Sequence, residues 1–307
     1  MSAPAITASS LRKTYQQTVA LRDVSFTVPS AAILAIVGPD GAGKTTLLRI
    51  LSGILDRDAG TIAIFGDDYA HDFESKKANI GYMPQRFGLY EDLTVQENID
   101  FFADLFSVKG EARRTRVKRL LEFSRMDPFT DRLAGKLSGG MKQKLGLACA
   151  LIHSPKILLL DEPTNGVDPV SRREFWRLLY DLNRDGTTII ISSSYMDEAE
   201  RASRFMLMHK GGIIAEGVPS DIRSNFQQAV FELPLEKARA AKSLLESEPR
   251  LIAVSLFGKS LHVAARREMP LQEVAAIVSA RGVDATQLRE IIPSFEDIYI
   301  GLSKDAE

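Results

Sequence analysis

The spacing of apolar and polar positions divides the chain into two parts. From about Ile6 to Phe226, short apolar runs, helical periods and glycine turns alternate in an α/β rhythm. AAILAIVG and KILLLDEP are continuously apolar and end in polar residues, the pattern of buried parallel strands whose C-terminal ends carry a site. IIISSSYMDEAE, Ile189 to Glu200, reads as a third buried strand running into an acidic helix start. Its three serines give a buried strand little to pack with, so either the strand end is exposed or a hydroxyl is wanted there. Ser192 and Ser193 are expected simply to finish the strand.

After Phe226 the pattern changes. AVFELPL predicts a strand, EKARAAKSLLESE a helix, and RLIAVSLFGKSLHVAARR a hairpin around Gly-Lys. PLQEVAAIVSARG follows as a helix, DATQLREIIP as an extended segment and SFEDIYIGL as a final helix. This βαββαβ order predicts a small separate α+β domain over residues 228–307, after a larger domain over residues 5–227.

Composition adds limits. The 307 residues carry 45% hydrophobic side chains, enough for one sizeable core and a smaller second one. A net charge of −1 gives no global basic field, and no nucleic-acid partner is expected. The local cluster Arg113 to Arg119, beside Val117, Leu120 and Leu121, reads as the wet face of an amphipathic helix. The single cysteine, Cys149, excludes an internal disulfide and lies in an apolar run, so a packed core thiol is expected. No signal peptide is expected, and the apolar runs fall far short of the roughly 20 residues needed to span a bilayer.

GPDGAGKTT, Gly38 to Thr46, follows a predicted strand and opens the helical pattern TLLRILSGIL. It matches G-x-x-x-x-G-K-[ST] in the strand–loop–helix context that the motif requires. Gly38, Gly41 and Gly43, with Pro39, Asp40 and Ala42 between them, let backbone N–H groups and a helix N-terminus face a phosphate. Lys44 then supplies charge to the β- and γ-phosphates, Thr45 a hydroxyl to Mg²⁺, and Thr46 a contact to the α-phosphate. The acids ending KILLLDEP complete the chemistry: Asp161 to hold Mg²⁺ through its hydration shell, Glu162 to polarise an attacking water. A plain glycine turn and a pair of helix-capping acids are the bland alternatives, and the two motifs together outweigh them.

LSGGMKQKLGLACAL, Leu137 to Leu151, and GYMPQ, ending at Gln85, carry a family resemblance. With them the chain resembles the ATP-binding subunits of ABC transporters over about Ile6 to Phe226. The resemblance implies an α/β P-loop NTPase fold of ABC type: a RecA-like core, an antiparallel β subdomain and a helical subdomain. It implies ATP and Mg²⁺ as cofactors and a head-to-tail dimer in which Ser138, Gly139 and Gly140 meet the nucleotide bound by the other subunit. By the same resemblance Tyr15 stacks on adenine and Gln85 touches Mg²⁺ and water. Asp168 crosses the dimer interface, with a helix N-cap as its plain alternative.

YMPQRFGLYEDLTVQENIDFFADLF and YMDEAER look like drug- and polysaccharide-exporting systems with ABC-2-type membrane partners. GKLSGGMKQKLGLACAL resembles the first half of a double-length exporter ATPase. The implied subunit is peripheral, at the cytoplasmic face of the membrane.

One position departs from the pattern. Where the family ends the strand after Asp-Glu in a histidine, this chain has Ser194. His71, His153, His209 and His262 read as ordinary surface or turn residues, so none replaces it. A serine keeps one donor but no positive character, so ATP binding with slow hydrolysis is expected. An intact LSGGMKQ beside a weakened site points to pairing with a second ATPase that keeps its histidine. A homodimer of two compromised sites, a non-hydrolytic ATP-gated scaffold and a soluble non-transport ABC protein remain as alternatives.

Overall fold

The computed structural model describes residues 3–68, 77–86 and 88–305. It divides into two compact units, Met1–Ile213 and Ile214–Glu307. The boundary expected from sequence, 227/228, lies further along, because the short helix before it groups with the second unit.

In the first unit, strands β1 (Ile6–Tyr15), β2 (Thr18–Val28), β4 (Ala59–Ile64) and β5 (Asp67–Asp68) form an antiparallel sheet of order β2-β1-β4-β5. The second sheet has the order β10-β9-β3-β8-β7-β6. Its strands are β3 (Ile33–Val37), β6 (Ile80–Met83), β7 (Ile157–Asp161), β8 (Thr188–Ser193), β9 (Arg204–His209) and β10 (Gly212–Gly217). From β9 to β6 every pairing is parallel. All residues of β3, β7 and β8 are buried, whereas β1 alternates between buried and exposed positions. That contrast follows from the sequence: a strand covered on both faces needs apolar side chains throughout, and a strand covered on one face needs them at alternate positions. One apolar cluster joins Leu11, Leu21 and Val24 to Ile36, Leu48, Ile157 and Leu159, with helix α1 (Lys44–Leu51) contributing to it.

A helical segment follows β6: α2 (Val95–Leu105), α3 (Gly110–Ser124) and α4 (Gly139–Leu151). Thr94 caps α2 in a reciprocal box with Glu97. α3 buries Val117, Leu120 and Leu121, as the amphipathic reading requires. Its basic face is spent locally: Arg113 pairs with Asp100 and Asp104, and Arg119 with Asp185. Cys149 is buried in α4, and burial pushes its thiol pKa well up. Helix α5 (Pro169–Arg184) then leads to β8.

The second unit starts within β10 and continues through α6 (Pro219–Asn225). It then runs β11 (Gln228–Pro234), α7 (Ala238–Leu245), β12 (Ala253–Phe257), β13 (Ser260–Arg266), α8 (Leu271–Ala280), β14 (Arg289–Ile291) and α9 (Phe295–Asp305). The sheet order β12-β13-β11-β14 is antiparallel throughout, the split-βαβ arrangement expected of a βαββαβ chain. Phe231, Leu261, Val263, Val274 and Ile277 anchor its own core.

Candidate functional site

The phosphate loop leaves β3 at its C-terminal end and enters α1. A Cβ on Gly38 would sit 2.4 Å from the Met208 carbonyl oxygen, and one on Gly43 (φ +105) 2.5 Å from that of Ala20. At both points only glycine lets neighbouring backbone approach this closely. Lys44 folds back over the loop: its Nζ donates to the carbonyls of Gly38 (2.7 Å) and Pro39 (3.0 Å) and lies 3.1 Å from Glu162 Oε1.

The two acids stand where β7 ends. Asp161 is buried; its Oδ1 accepts from Thr45 Oγ1 (3.0 Å) and Ser192 Oγ (2.8 Å). The Tyr82 hydroxyl lies 3.5 Å from Oδ2. Burial, with the Asp161 charge adding to it, pushes the Tyr82 pKa up to about 12, so the phenol stays a donor. Glu162 has φ +47 and is buried. Its Oε2 accepts from Gln85 Nε2 (3.3 Å) and Asn165 Nδ2 (3.2 Å), and its own N–H donates to Ser192 Oγ (2.9 Å). The buried charges are thus compensated, as buried charges must be.

A cleft of about 490 Å³ opens over this constellation. Tyr15, Asp40 to Thr46, Gln85 and Glu162 line it together with Asn165; Gly38, Pro39 and Asp161 are not among its lining residues. Tyr15 is half exposed at the rim, with Lys13 Nζ 5.8 Å from its ring centroid. The donors Thr45 hydroxyl, Asp161 carboxylate and Gln85 amide oxygen are hard oxygen ligands, the set that suits Mg²⁺.

The remaining predicted residues lie outside this cleft. Ser138 caps α4, its Oγ accepting the Met141 amide at 3.3 Å, with Gly139 exposed beside it. Gly140 is buried, and a Cβ there would meet Ser171 at 2.6 Å. Asp168 caps α5 through the amides of Val170 and Ser171, both 3.0 Å from Oδ1. Hydrogen bonding from the Ser171 hydroxyl first, and then from the Ser171 and Val170 amides, holds its carboxyl below the usual range. Ser194 follows β8 half-buried and does not line the cleft.

Several sequence expectations need correction. Ser192 does not merely finish β8: it bonds both acids of the site. The pairing of Asp161 with Ser192 across β7 and β8 is the signal that reveals it. His153 lies in a turn, as expected, but half-buried there, stacked on Phe106 at 4.0 Å and hydrogen-bonded to the Ile80 carbonyl, with its pKa lowered by burial. His262 is a strand residue bonded to Asp297. His71 lies outside the described residues. Sequence reasoning also passed over Tyr82, Asn165 and the buried Glu198, whose Oε1 accepts from Thr164 (2.8 Å) and Trp176 (3.2 Å).

The fold and the site define a nucleotide-binding ATPase of the cassette type. The chain belongs to the ABC transporter ATP-binding family, whose members are ATPases coupled to transport: residues 21–165 match the family described as ABC transporter. It is 44% identical over 286 residues to the probable multidrug ABC transporter ATP-binding protein YbhF of Escherichia coli (strain K12), covering 92% of this chain and 49% of that protein. The chain therefore spans about half the length of that relative. It is 33% identical over 305 residues to the Nod factor export ATP-binding protein I of Rhizobium sp. (strain N33), covering 99% and 98%. An ATP-binding subunit of an ABC transporter superposes with a TM-score of 0.65 at 29% identity, covering 72% of this chain and 93% of that one. A dimeric post-hydrolysis cassette bound to ADP and Pi does so at 0.63 and 27%, covering 69% and 98%.

Proposed function

We propose that this chain is the ATP-binding and hydrolysing subunit of an exporter, powering efflux of a drug-like or other amphipathic substrate through a separate ABC-2-type membrane subunit. The observation that carries this reading is one cleft lined by Lys44, Thr45, Gln85 and Glu162, beneath a phosphate loop and beside Asp161. Export is supported by the names of its relatives, a probable multidrug ABC transporter ATP-binding protein and a Nod factor export ATP-binding protein. Residues 5–227 form the ATP-binding domain in this reading, and residues 228–307 an accessory domain.

Loop amides, the α1 N-terminus and Lys44 bind the ATP phosphates. Thr45, Asp161 and Gln85 would hold Mg²⁺, which would supply charge neutralisation for the phosphates. Glu162 orients the attacking water and takes its proton, and Tyr15 stacks on the adenine. A second cassette completes the site with its counterparts of Ser138, Gly139, Gly140 and Asp168. The dimeric cassette bound to ADP and Pi supports such pairing. The assembly sits at the cytoplasmic face of the membrane, held there by its partner; among the described residues no helix is long and apolar enough to cross.

Ser194 makes this site the slower of an unequal pair, whose other member keeps a histidine. If so, Ser194→His raises hydrolysis at this site by about 10²-fold, the value of one positioned transition-state donor. Single-turnover hydrolysis in the purified complex reads this directly, and an unchanged rate removes Ser194 as the weak point. Affinity purification from membranes tests the assembly itself: recovery of a membrane subunit and a second ATPase supports it, and the chain alone counts against it.

A further inference from the structure

We propose that Ser192 is a positioning residue whose single hydroxyl sets both acids of the cleft, aiming the Asp161 carboxylate and fixing the backbone of Glu162. The inference rests on the reading of the cleft as a Mg·ATP site and goes beyond it in assigning the residue that holds the two acids in register.

Ser192 is fully buried, and its Oγ stands 2.8 Å from Asp161 Oδ1 and 2.9 Å from the Glu162 nitrogen. A backbone N–H only donates, so the hydroxyl accepts there and its one proton goes to Asp161. Both bonds are therefore directed, and neither can flip without breaking the other. β7 and β8 pair in parallel with Asp161 opposite Ser192, which places the hydroxyl where the strand stops and the active turn begins.

That turn needs support. Glu162 is a non-glycine residue at φ +47, a conformation that persists only where its surroundings hold it. Its N–H lies at the end of β7, and Ser192 is the acceptor that it finds. Asp161 Oδ1 has a second donor in Thr45 Oγ1 at 3.0 Å, but the Thr45 hydroxyl is one that Mg²⁺ competes for. Ser192, fully buried and outside the cleft lining, is not. With alanine at 192, a buried N–H loses its acceptor and a buried carboxylate one of its donors.

The test is equilibrium binding of a fluorescent ATP analogue to the full chain, with and without Mg²⁺. In Ser192→Ala the gain in affinity brought by Mg²⁺ is expected to fall about tenfold, the scale of one lost buried hydrogen bond. Metal-free affinity stays within about twofold, because the Ser192 hydroxyl bonds neither the loop amides nor Lys44, the groups that meet the phosphates. Ser192→Thr, which keeps the hydroxyl, restores the Mg²⁺ response. An unaltered Mg²⁺ response in Ser192→Ala overturns the assignment. So does an equal loss with and without metal accompanied by a lower unfolding midpoint, which marks a packing role. Should Ser192→Ala not fold, amide exchange of Glu162 in the wild-type chain decides: slow exchange supports the bond, and exchange as fast as an open loop refutes it. A wild-type chain that binds no ATP sinks the reading of the cleft itself, and this inference with it.

Discussion

The parallel sheet of the first unit and the antiparallel sheet of the second both bury charged groups, but they use them in opposite ways. At the ends of β7 and β8, the hydrogen bonds of Asp161, Glu162 and Lys44 lead out to an open cleft, and Glu162 sits in left-handed backbone. In the second unit His262 Nδ1 meets Asp297 Oδ1 at 2.9 Å, Phe257 stacks on the imidazole, and Ser294 closes the other carboxylate oxygen through its N–H (2.9 Å) and hydroxyl (2.6 Å). The first arrangement keeps charge available at a surface. The second satisfies its charge internally and serves the packing of α9. Buried polarity alone therefore does not mark a working site; polarity that leads into a cavity and carries local strain does.

Glu162→Gln tests the first half of that contrast and carries the largest expected effect. The amide keeps the shape of the side chain but cannot take a proton, so hydrolysis should fall by about 10²–10⁴-fold, the range of a lost general base. Mg·ATP affinity should not fall, because the substitution also releases Lys44 from its 3.1 Å ion pair. Stability, followed through Trp176, the chain's single tryptophan, should fall, because the buried Lys44 ammonium loses its carboxylate partner and keeps only the carbonyls of Gly38 and Pro39. A variant that still hydrolyses at the wild-type rate would assign the base elsewhere.

How far the sequence foretells each half of the contrast follows from the kind of signal involved. The phosphate loop, the acids and the α/β order are legible because each is a local pattern: an apolar run, a glycine turn, a helix start. Even the split-βαβ order of the second unit is visible in its alternation. Ser192, Asn165 and Tyr82 are not, because each matters through a partner distant in sequence. Asp161 reaches Ser192 across a strand pairing and Tyr82 across a second one. His262 escapes for the same reason: its partner Asp297 comes from a helix that sequence places but does not orient. Ser194 is legible only as a departure from a resemblance, since nothing in its local pattern marks it apart from Ser192 and Ser193.

Gly140→Ala probes the tightest packing at the start of α4, beside the dimer contact proposed above. A Cβ there would meet Ser171 Cβ and Oγ at 2.6 Å, closer than a methyl group tolerates. Overpacking of this kind costs about 1–3 kcal/mol, so the Trp176 unfolding midpoint in denaturant should fall. Adding Ser171→Gly removes the obstructing side chain and should recover most of the loss. Nucleotide binding by the chain alone should be unaffected, because Gly140 does not line the cleft; a loss of binding in step with stability would show that the α4 terminus and the phosphate loop are more tightly joined than the geometry indicates.

Asp297→Asn tests the second half, with the smallest effect. Burial works to raise the Asp297 pKa, but hydrogen bonds from His262 and Ser294 outweigh it and leave the carboxyl below its usual value. A carboxyl depressed in the folded state contributes stability that is fully present above the unfolded value, about 3.9, and is lost as pH falls through the folded one. In the wild-type protein, amide exchange along β13 should therefore accelerate as pH drops below about 4, beyond the intrinsic pH dependence of exchange. The asparagine variant should lose that acid-dependent term and, above pH 5, exchange somewhat faster, as expected for about 1 kcal/mol lost with a charge-assisted bond. ATP binding in the first unit should not change. If the variant weakens nucleotide binding, the pair is not self-contained, and the division between a unit that offers its charges and a unit that closes on them no longer holds.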